Sequence, residues 1–375
     1  MKKIIWIVVV IVIIAVIIGI TRGPDEIKNT EPIKIGVVAA FSGDAAPYGE
    51  PVKHGVTLAV EEINAAGGVN GRQIEAIYED GRCDGKTASS ATQKLISIDK
   101  VKVIIGMPCS GEVLASAPIS EASKTLLLVQ GSSPDITKAG SYIFRVFPSD
   151  AYTGVAIAEK MITHNFKNVA IITENTPYAV GIEKTFSEGL IAQQGKIVAK
   201  ETYNPDVKDF RSLLLKIKAT NPEALFINAQ TGASGARIAQ QARDMGMKSQ
   251  FYTAFFSGPD FVKAGSFVEG TYIVDVPTVD STDQDAQDFL KKYTAKTNNT
   301  NYIIFAGGAY DETMLLAKAI EEVGYEDTDK IKSYLHGISN YDGVIGNFSF
   351  DSEGDVVGIN LRWMQIKDGE LQTVK

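Results

Sequence analysis

The 375-residue chain is poor in the residues that most often carry chemistry, with two cysteines, three histidines and two tryptophans. His54, His164 and His336 fall on a helix flank, at a helix end and near a chain turn, where solvated positions are the default. The patterns G-x-S-x-G, H-E-x-x-H and Walker A are missing, which removes the nucleophile elbow, the zinc-protease helix and the P-loop. Carboxylates are numerous but form no recognisable acid/base pair. No catalytic residue, metal ligand or cofactor is therefore assigned, and an exported α/β hydrolase is disfavoured. A basic excess is also lacking: 37 Lys and Arg stand against 45 Asp and Glu, a net charge of −8. That balance offers no patch for nucleic acid and fits an acidic exported domain.

Long hydrophobic runs are limited to one. Lys2 and Lys3 precede an apolar stretch from Ile4 to Ile20, which as a helix spans about 25 Å at roughly 1.5 Å per residue. It is longer than the usual secretory core of roughly 7–15 residues. The flanking charges predict an N-in anchor, with 1–3 a cytoplasmic stub, 4–20 the membrane helix and 21–32 a polar linker; a cleaved signal peptide is the alternative. Both place the remaining chain outside the cytoplasm. No Cys follows the run, so a lipoprotein anchor is unavailable. Residues 33–375 are too many for one ordinary core and suit two lobes.

Two cysteines in an exported chain invite a disulfide. Cys83 follows the second strand and Cys109 the third, at the same carboxyl end of the sheet, and a bond between them would hold the loop that carries Ser110. Two free thiols are the alternative; a metal or catalytic role is weaker, since no His lies near either Cys.

What is present is a βα rhythm. Ile35, Val37 and Val38 form a short strand that ends at Phe41-Ser42-Gly43-Asp44. Val52, Val56, Ala59, Val60 and Ile63 recur at helical spacing, Gly67-Gly68 stop the helix, and Ile74 to Tyr78 is the second strand. Such a βαβ unit implies a parallel sheet with its ligand outside the carboxyl ends of the strands. The loop from Phe41 to Gly49 is thus a candidate wall, and without G-x-G-x-x-G it is not a dinucleotide cradle. Further strands are predicted at 101–105, 126–129, 142–147, 169–173, 196–203, 224–228, 251–254 and 272–276, and helices at 111–123, 151–164, 180–194, 210–219, 235–245 and 306–323.

Ile35-Gly36-Val37, Phe41-Ser42-Gly43, Gly55 with Leu58-Ala59, Ile63 to Gly68, Glu79-Asp80 and Cys83-Asp84, taken in order, resemble the type I periplasmic binding proteins. The specific likeness is to the branched-chain amino-acid-binding family of ABC-transporter solute-binding proteins. Ile303 to Leu316 and the closing segment Tyr341 to Asp351 with Gly354-Asp355 extend the resemblance across 33–375. It implies an α/β fold of two doubly wound parallel-sheet lobes joined by a three-stranded hinge. Lobe 1 would be 33–148 with 276–342, and lobe 2 149–275 with 343–375. Crossings would fall near 147–150, 274–278 and 341–346. Such a hinge permits closure around a ligand.

Two serines stand at strand ends. Ser110 precedes a helix expected from Gly111, and Ser133-Pro134-Asp135 repeats the cap pattern; each is an ordinary cap or part of an anion site. The resemblance implies that Ser110 and the Gly131-Ser132-Ser133 segment hold a ligand α-carboxylate and lend a carbonyl to its ammonium. It implies also that Tyr178 closes over the ligand from the second lobe, with Tyr48 facing it from the first; exposed loop aromatics are the alternative for both. Asp150, at the first crossing, either bonds within the hinge or meets the ammonium. Relatives often place an acid after the second lobe's last strand, where this chain has Phe255. Asp260 is a substitute only if that loop folds differently. Asn228 and Gln230 would suit a neutral polar ligand.

These features imply a monomeric receptor that closes on a branched-chain or other aliphatic amino acid and delivers it to an ABC permease. The alternatives are a receptor for an amide, urea or aromatic acid, and a sensory ectodomain. The latter would need a signalling partner, because its cytoplasmic tail is three residues at most.

Overall fold

The computed structural model describes residues 31–254, 259–276, 279 and 283–374. The apolar run 4–20 and Phe255 lie outside them, and among the described residues no helix is long and apolar enough to cross a membrane.

The first sheet is built from strands whose apolar residues run nearly unbroken. In β1 (Ile33–Ala39) only Lys34 is exposed, and β3 (Val103–Gly106) and β4 (Leu126–Val129) are buried throughout. That pattern belongs to strands covered by helices on both faces. With β2 (Ile74–Asp80) and β5 (Ile143–Arg145) they form a five-stranded parallel sheet, ordered β2-β1-β3-β4-β5. Helices α1 (Ala46–Ala65), α2 (Gly85–Ser97) and α3 (Ser110–Ser123) make the connections. The order reverses between β1 and β3, so the sheet's ligand crevice opens at their carboxyl ends.

The chain then enters a second lobe through α4 (Asp150–Thr163). Here β6 (Asn168–Glu174), α5 (Pro177–Ala192), β7 (Lys196–Tyr203), α6 (Arg211–Ala219), β8 (Ala224–Asn228), α7 (Gly232–Asp244), β9 (Gln250–Ala254) and β10 (Tyr272–Asp275) repeat the alternation. Helices α8 (Gln284–Thr297), α9 (Ile303–Val323) and α10 (Thr328–His336) return to the first lobe, where Ile303, Leu315, Ile320, Ile331 and Leu335 join the core of β1, β3 and β4.

Two parallel-sheet lobes were expected and both are present, with two departures. First, the second sheet is mixed. Its order is β15-β14-β10-β9-β8-β6-β7, and the hairpin β14 (Arg362–Lys367) and β15 (Glu370–Val374) runs antiparallel beside β10. Second, the third crossing comes later than 341–346. Strands β11 (Tyr341–Gly343), β12 (Gly346–Phe350) and β13 (Val356–Val357) form a small antiparallel sheet of their own. Val344, Ile345, Phe348 and Phe350 are buried in the first lobe's core, and Phe350 meets Phe144 edge-on at 5.2 Å. Asp311 of α9 accepts the N–H groups of Val344 and Ile345 at 3.0 and 3.1 Å. Apolar burial and this carboxyl hold 341–357 to the first lobe, so the chain joins the second sheet only from Arg362 onwards.

Candidate ligand-binding site

The loops at the carboxyl ends of the first sheet are tied together covalently and by a buried carboxyl. Cys83 and Cys109 form a disulfide with their Cα atoms 5.3 Å apart. Beneath it Glu112 accepts the N–H of Cys83 at 3.0 Å and that of Cys109 at 3.3 Å. Burial pushes the Glu112 carboxyl up to about 7; the two N–H bonds oppose the shift, and Asp80 and Asp84 add to it.

This arrangement corrects one expectation. Ser110 does not cap α3 but is its first residue; the cap position belongs to Cys109, with Glu112 at the third helical position reaching back to it. The Ser110 hydroxyl instead turns sideways. Its oxygen accepts the N–H of Ser132 at 3.2 Å and that of Ser133 at 3.0 Å. Ser133 does cap, accepting the N–H of Asp135 at 3.4 Å at the head of a 3-10 turn, Pro134–Lys138. Gly131 makes the approach possible, since a Cβ there would sit 2.9 Å from a Val113 methyl and 3.1 Å from the Ser110 Cα.

Arg145 braces the same loop from below, a role the sequence did not suggest. Its guanidinium is fully buried and donates to the carbonyls of Ser132 at 3.1 Å and Ser133 at 2.8 Å. The other arm donates to the Thr137 hydroxyl at 2.8 Å and pairs with Asp355.

Between the lobes lies a cavity of about 30 Å³, room for about one or two waters. Four aromatic rings line it: Tyr48 and Phe305 from the first lobe, Phe147 at the first crossing, and Tyr178 from the second lobe. Pro108 and the polar residues Gln130, Ser132 and Gln230 complete the wall. Tyr48 lies in the first turn of α1 and Tyr178 in the first turn of α5, where Thr176 caps and Pro177 opens the helix. Both rings are buried, and burial lifts both phenols well above their ordinary range. Tyr48 also packs edge-on to Tyr302 at 4.9 Å.

The lobes touch through these residues. The Tyr48 hydroxyl donates to the Gln230 carbonyl at 3.2 Å. The Gln230 N–H donates to Glu174 at 2.8 Å, and Glu174 also accepts the Tyr203 hydroxyl at 3.0 Å. At the rim Lys208 reaches Asp44 at 2.7 Å, an exposed pair worth at most about 1 kcal/mol.

Four of the sequence-derived site residues, Tyr48, Ser132, Tyr178 and Gln230, meet in this cavity, and Ser110, Gly131 and Ser133 stand directly behind Ser132. Asp150 is the first residue of α4 and does not line the cavity. Its carboxyl is fully buried, and neither oxygen makes a hydrogen bond among the described residues. Burial pushes it up to about 7, against the pull of the nearby Ser132 and Thr153 hydroxyls and the Arg145 charge. Asn228 is buried away from the cleft, donating to the Ala179 carbonyl at 2.7 Å. His164 is half-buried, contrary to its expected solvation, with Nδ1 2.5 Å from the Tyr252 hydroxyl. Gln130 was not anticipated; a polar side chain closing the apolar strand Leu126–Val129 at its carboxyl end was the available signal.

Known proteins share the family and the fold. The family model described as periplasmic binding protein matches residues 32–370. The leucine-, isoleucine-, valine-, threonine- and alanine-binding protein of Pseudomonas aeruginosa is 28% identical over 337 residues, covering 87% of each chain. A Leu/Ile/Val-binding protein homolog of Brucella abortus is 29% identical, over 90% of this chain and 92% of its own. Among solved structures, the branched-chain amino acid transporter substrate-binding protein LivJ of Streptococcus pneumoniae, in complex with isoleucine, superposes with a TM-score of 0.81. It is 30% identical over 92% of this chain and 99% of its own. An R. palustris ABC-transporter solute-binding protein in complex with benzoate shares the fold at a TM-score of 0.81, with 22% identity over 92% of this chain and 95% of its own. The chain belongs to the periplasmic binding protein family.

Proposed function

We propose that this chain is an extracytoplasmic receptor that closes on an aliphatic amino acid of the branched-chain class and presents it to an ABC permease. The observation that carries this is the cavity walled from both lobes at the carboxyl ends of both sheets, with Ser132, backed by Ser110 and Ser133, on one side and aromatic rings on the others. Ser110, Gly131, Ser132 and Ser133 hold the carboxylate, Tyr48 and Tyr178 cover the side chain, and Gln230 closes from the second lobe. The relatives named for leucine, isoleucine and valine support the ligand class. The cavity is narrow and its wall is shared by both lobes, so a ligand enters as the lobes part, and its contacts with both lobes then select the closed form.

A second possibility, an aromatic acid, is favoured by one observation: four rings and no carboxylate line the cavity among the described residues. A thermal-shift screen of residues 33–375 against leucine, isoleucine, valine, benzoate, amides and urea separates the two. We expect stabilisation by a branched-chain amino acid and its loss in Ser110→Ala and Ser133→Ala. A shift with benzoate and with no L-amino acid would sink the amino-acid assignment.

The apolar run from Ile4 to Ile20 supports tethering to the outer face of the membrane. Sequencing the N terminus of the membrane-extracted protein should return Met1 or Lys2; a start beyond residue 20 would mean a cleaved signal.

A further inference from the structure

An amino-acid ligand brings an ammonium, and a buried ammonium needs acceptors. No carboxylate lines the cavity among the described residues, and Phe255-Phe256-Ser257-Gly258, which follow β9, contain no acid. The acceptor must come from elsewhere in the wall.

Gln130 has the required chemistry. It lines the cavity, is 1% exposed, and its amide orientation is decided by its neighbours. One end of the amide faces two acceptors, the Phe305 carbonyl at 3.2 Å and Glu312 Oε2 at 3.4 Å. Only the NH₂ end can satisfy both, so the opposite end is Oε1. That oxygen has no hydrogen-bond partner among the described residues, although it is buried.

Two features hold it there. Glu312, buried in α9, is itself anchored by the Gly106 N–H at 3.0 Å. A donor bond to its carboxyl polarises the amide and raises the electron density on Oε1. Gly308, one turn before Glu312, leaves room for the amide: a Cβ there would lie 3.1 to 3.4 Å from its heavy atoms.

We infer that Gln130 is the specificity-determining residue of the site, its Oε1 accepting a hydrogen bond from the ligand ammonium, with Glu312 and Gly308 as positioning residues. The inference rests on the amino-acid assignment proposed above and extends it. It assigns selection for the amino group to a neutral amide backed by a remote carboxyl. A ligand that keeps the carboxylate and side chain but lacks the ammonium leaves Oε1 unpaired and is rejected.

The test uses isothermal titration of the full-length chain in detergent with L-leucine and with 4-methylpentanoate, the same molecule without its amino group, measured by competition where binding is weak. The wild-type protein should prefer leucine. Gln130→Met, similar in length and without an acceptor, should lower leucine affinity by about ten- to hundredfold while 4-methylpentanoate changes by no more than about twofold. Gly308→Ala crowds the amide without altering its chemistry and favours the helix. It should give the same loss of preference at about three- to tenfold, a readout that survives if Gln130→Met fails to fold. Equal losses for both ligands, or unchanged leucine binding, would overturn the role of Gln130 while the amino-acid assignment stands. Wild-type binding of 4-methylpentanoate or benzoate with no binding of any L-amino acid would overturn both.

Discussion

Arg145 is the bulkiest side chain with no solvent exposure among the described residues. A buried guanidinium needs most of its donors occupied; here Nη1 and Nη2 bond four acceptors, two of them the carbonyls that frame the serine cluster, while Nε has no partner among the described residues. Arg145→Met fills similar volume but removes four donor bonds and leaves Asp355 without its cation, while the two carbonyls keep the N–H groups of Asp150 and Ile136 and Asp355 keeps the Thr137 hydroxyl. Breaking one side of a buried pair typically costs about 3–5 kcal/mol. We therefore expect a lower urea midpoint with an unchanged slope; an unfolding free energy within about 0.5 kcal/mol of wild type would mean the brace is dispensable. The residues legible in the sequence were those marked by position after a strand, as with Tyr48, Ser132, Tyr178 and Gln230. Arg145 was not, because nothing in a run such as Phe144-Arg145-Val146 tells whether a cation points to water or to four acceptors. Ser110 was placed but misread, since a remote glutamate at the third helical position hands the cap to Cys109.

At the level of elements, apolar content decided what could be read. Strands β4, β7 and β8 were predicted with the bounds they have, each bracketed by polar or turn residues. Helices α2, α8 and α10 were not anticipated. Helix α2 buries only Ala88, Ala91, Thr92 and Leu95, and α8 only Ala286, Phe289 and Tyr293, so their apolar stripes are thin against a polar background. Their caps were the better signal: Asp84 accepts the Thr87 N–H and Asp283 the Ala286 N–H. The β14–β15 hairpin carries the Asp368-Gly369 pair, both at positive φ, the dipeptide that suits a tight antiparallel turn.

For the whole molecule, buried acids set the response to pH. Glu112, Asp150 and Asp311 are each pushed to about 7 by burial, and Glu312 is raised further. An unfolded chain releases these protons near pH 4. Between about pH 4 and 7 the folded protein holds more protons than the unfolded one, so stability falls as pH rises through that window and levels off above it. Asp44, Asp80 and Asp84 act oppositely. Their pKa values are depressed by hydrogen bonds, with Lys208, Ser42 and Thr87 the leading side-chain donors, and that contribution is lost only as pH falls below about 4. The melting temperature should therefore be higher at pH 5 than at pH 8, and Asp150→Asn should shrink the difference. A melting temperature that rises from pH 5 to pH 8 would show that these carboxyls are ionised in the folded protein.

Local periodicity determined by itself that the chain alternates strands and helices and that its sheets are mainly parallel, which places the loops after β1, β3, β4 and β6 at carboxyl strand ends. Each of those properties is written within about ten consecutive residues, through side-chain spacing and helix stops. Only the tertiary structure decided which walls meet. Tyr48 closes on Gln230, Gln130 leans on Glu312, and residues 341–357 belong to the first lobe. The two contacts join residues 182 positions apart in each case. Their partners are chosen by packing and hydrogen-bond satisfaction in three dimensions, which no local pattern encodes.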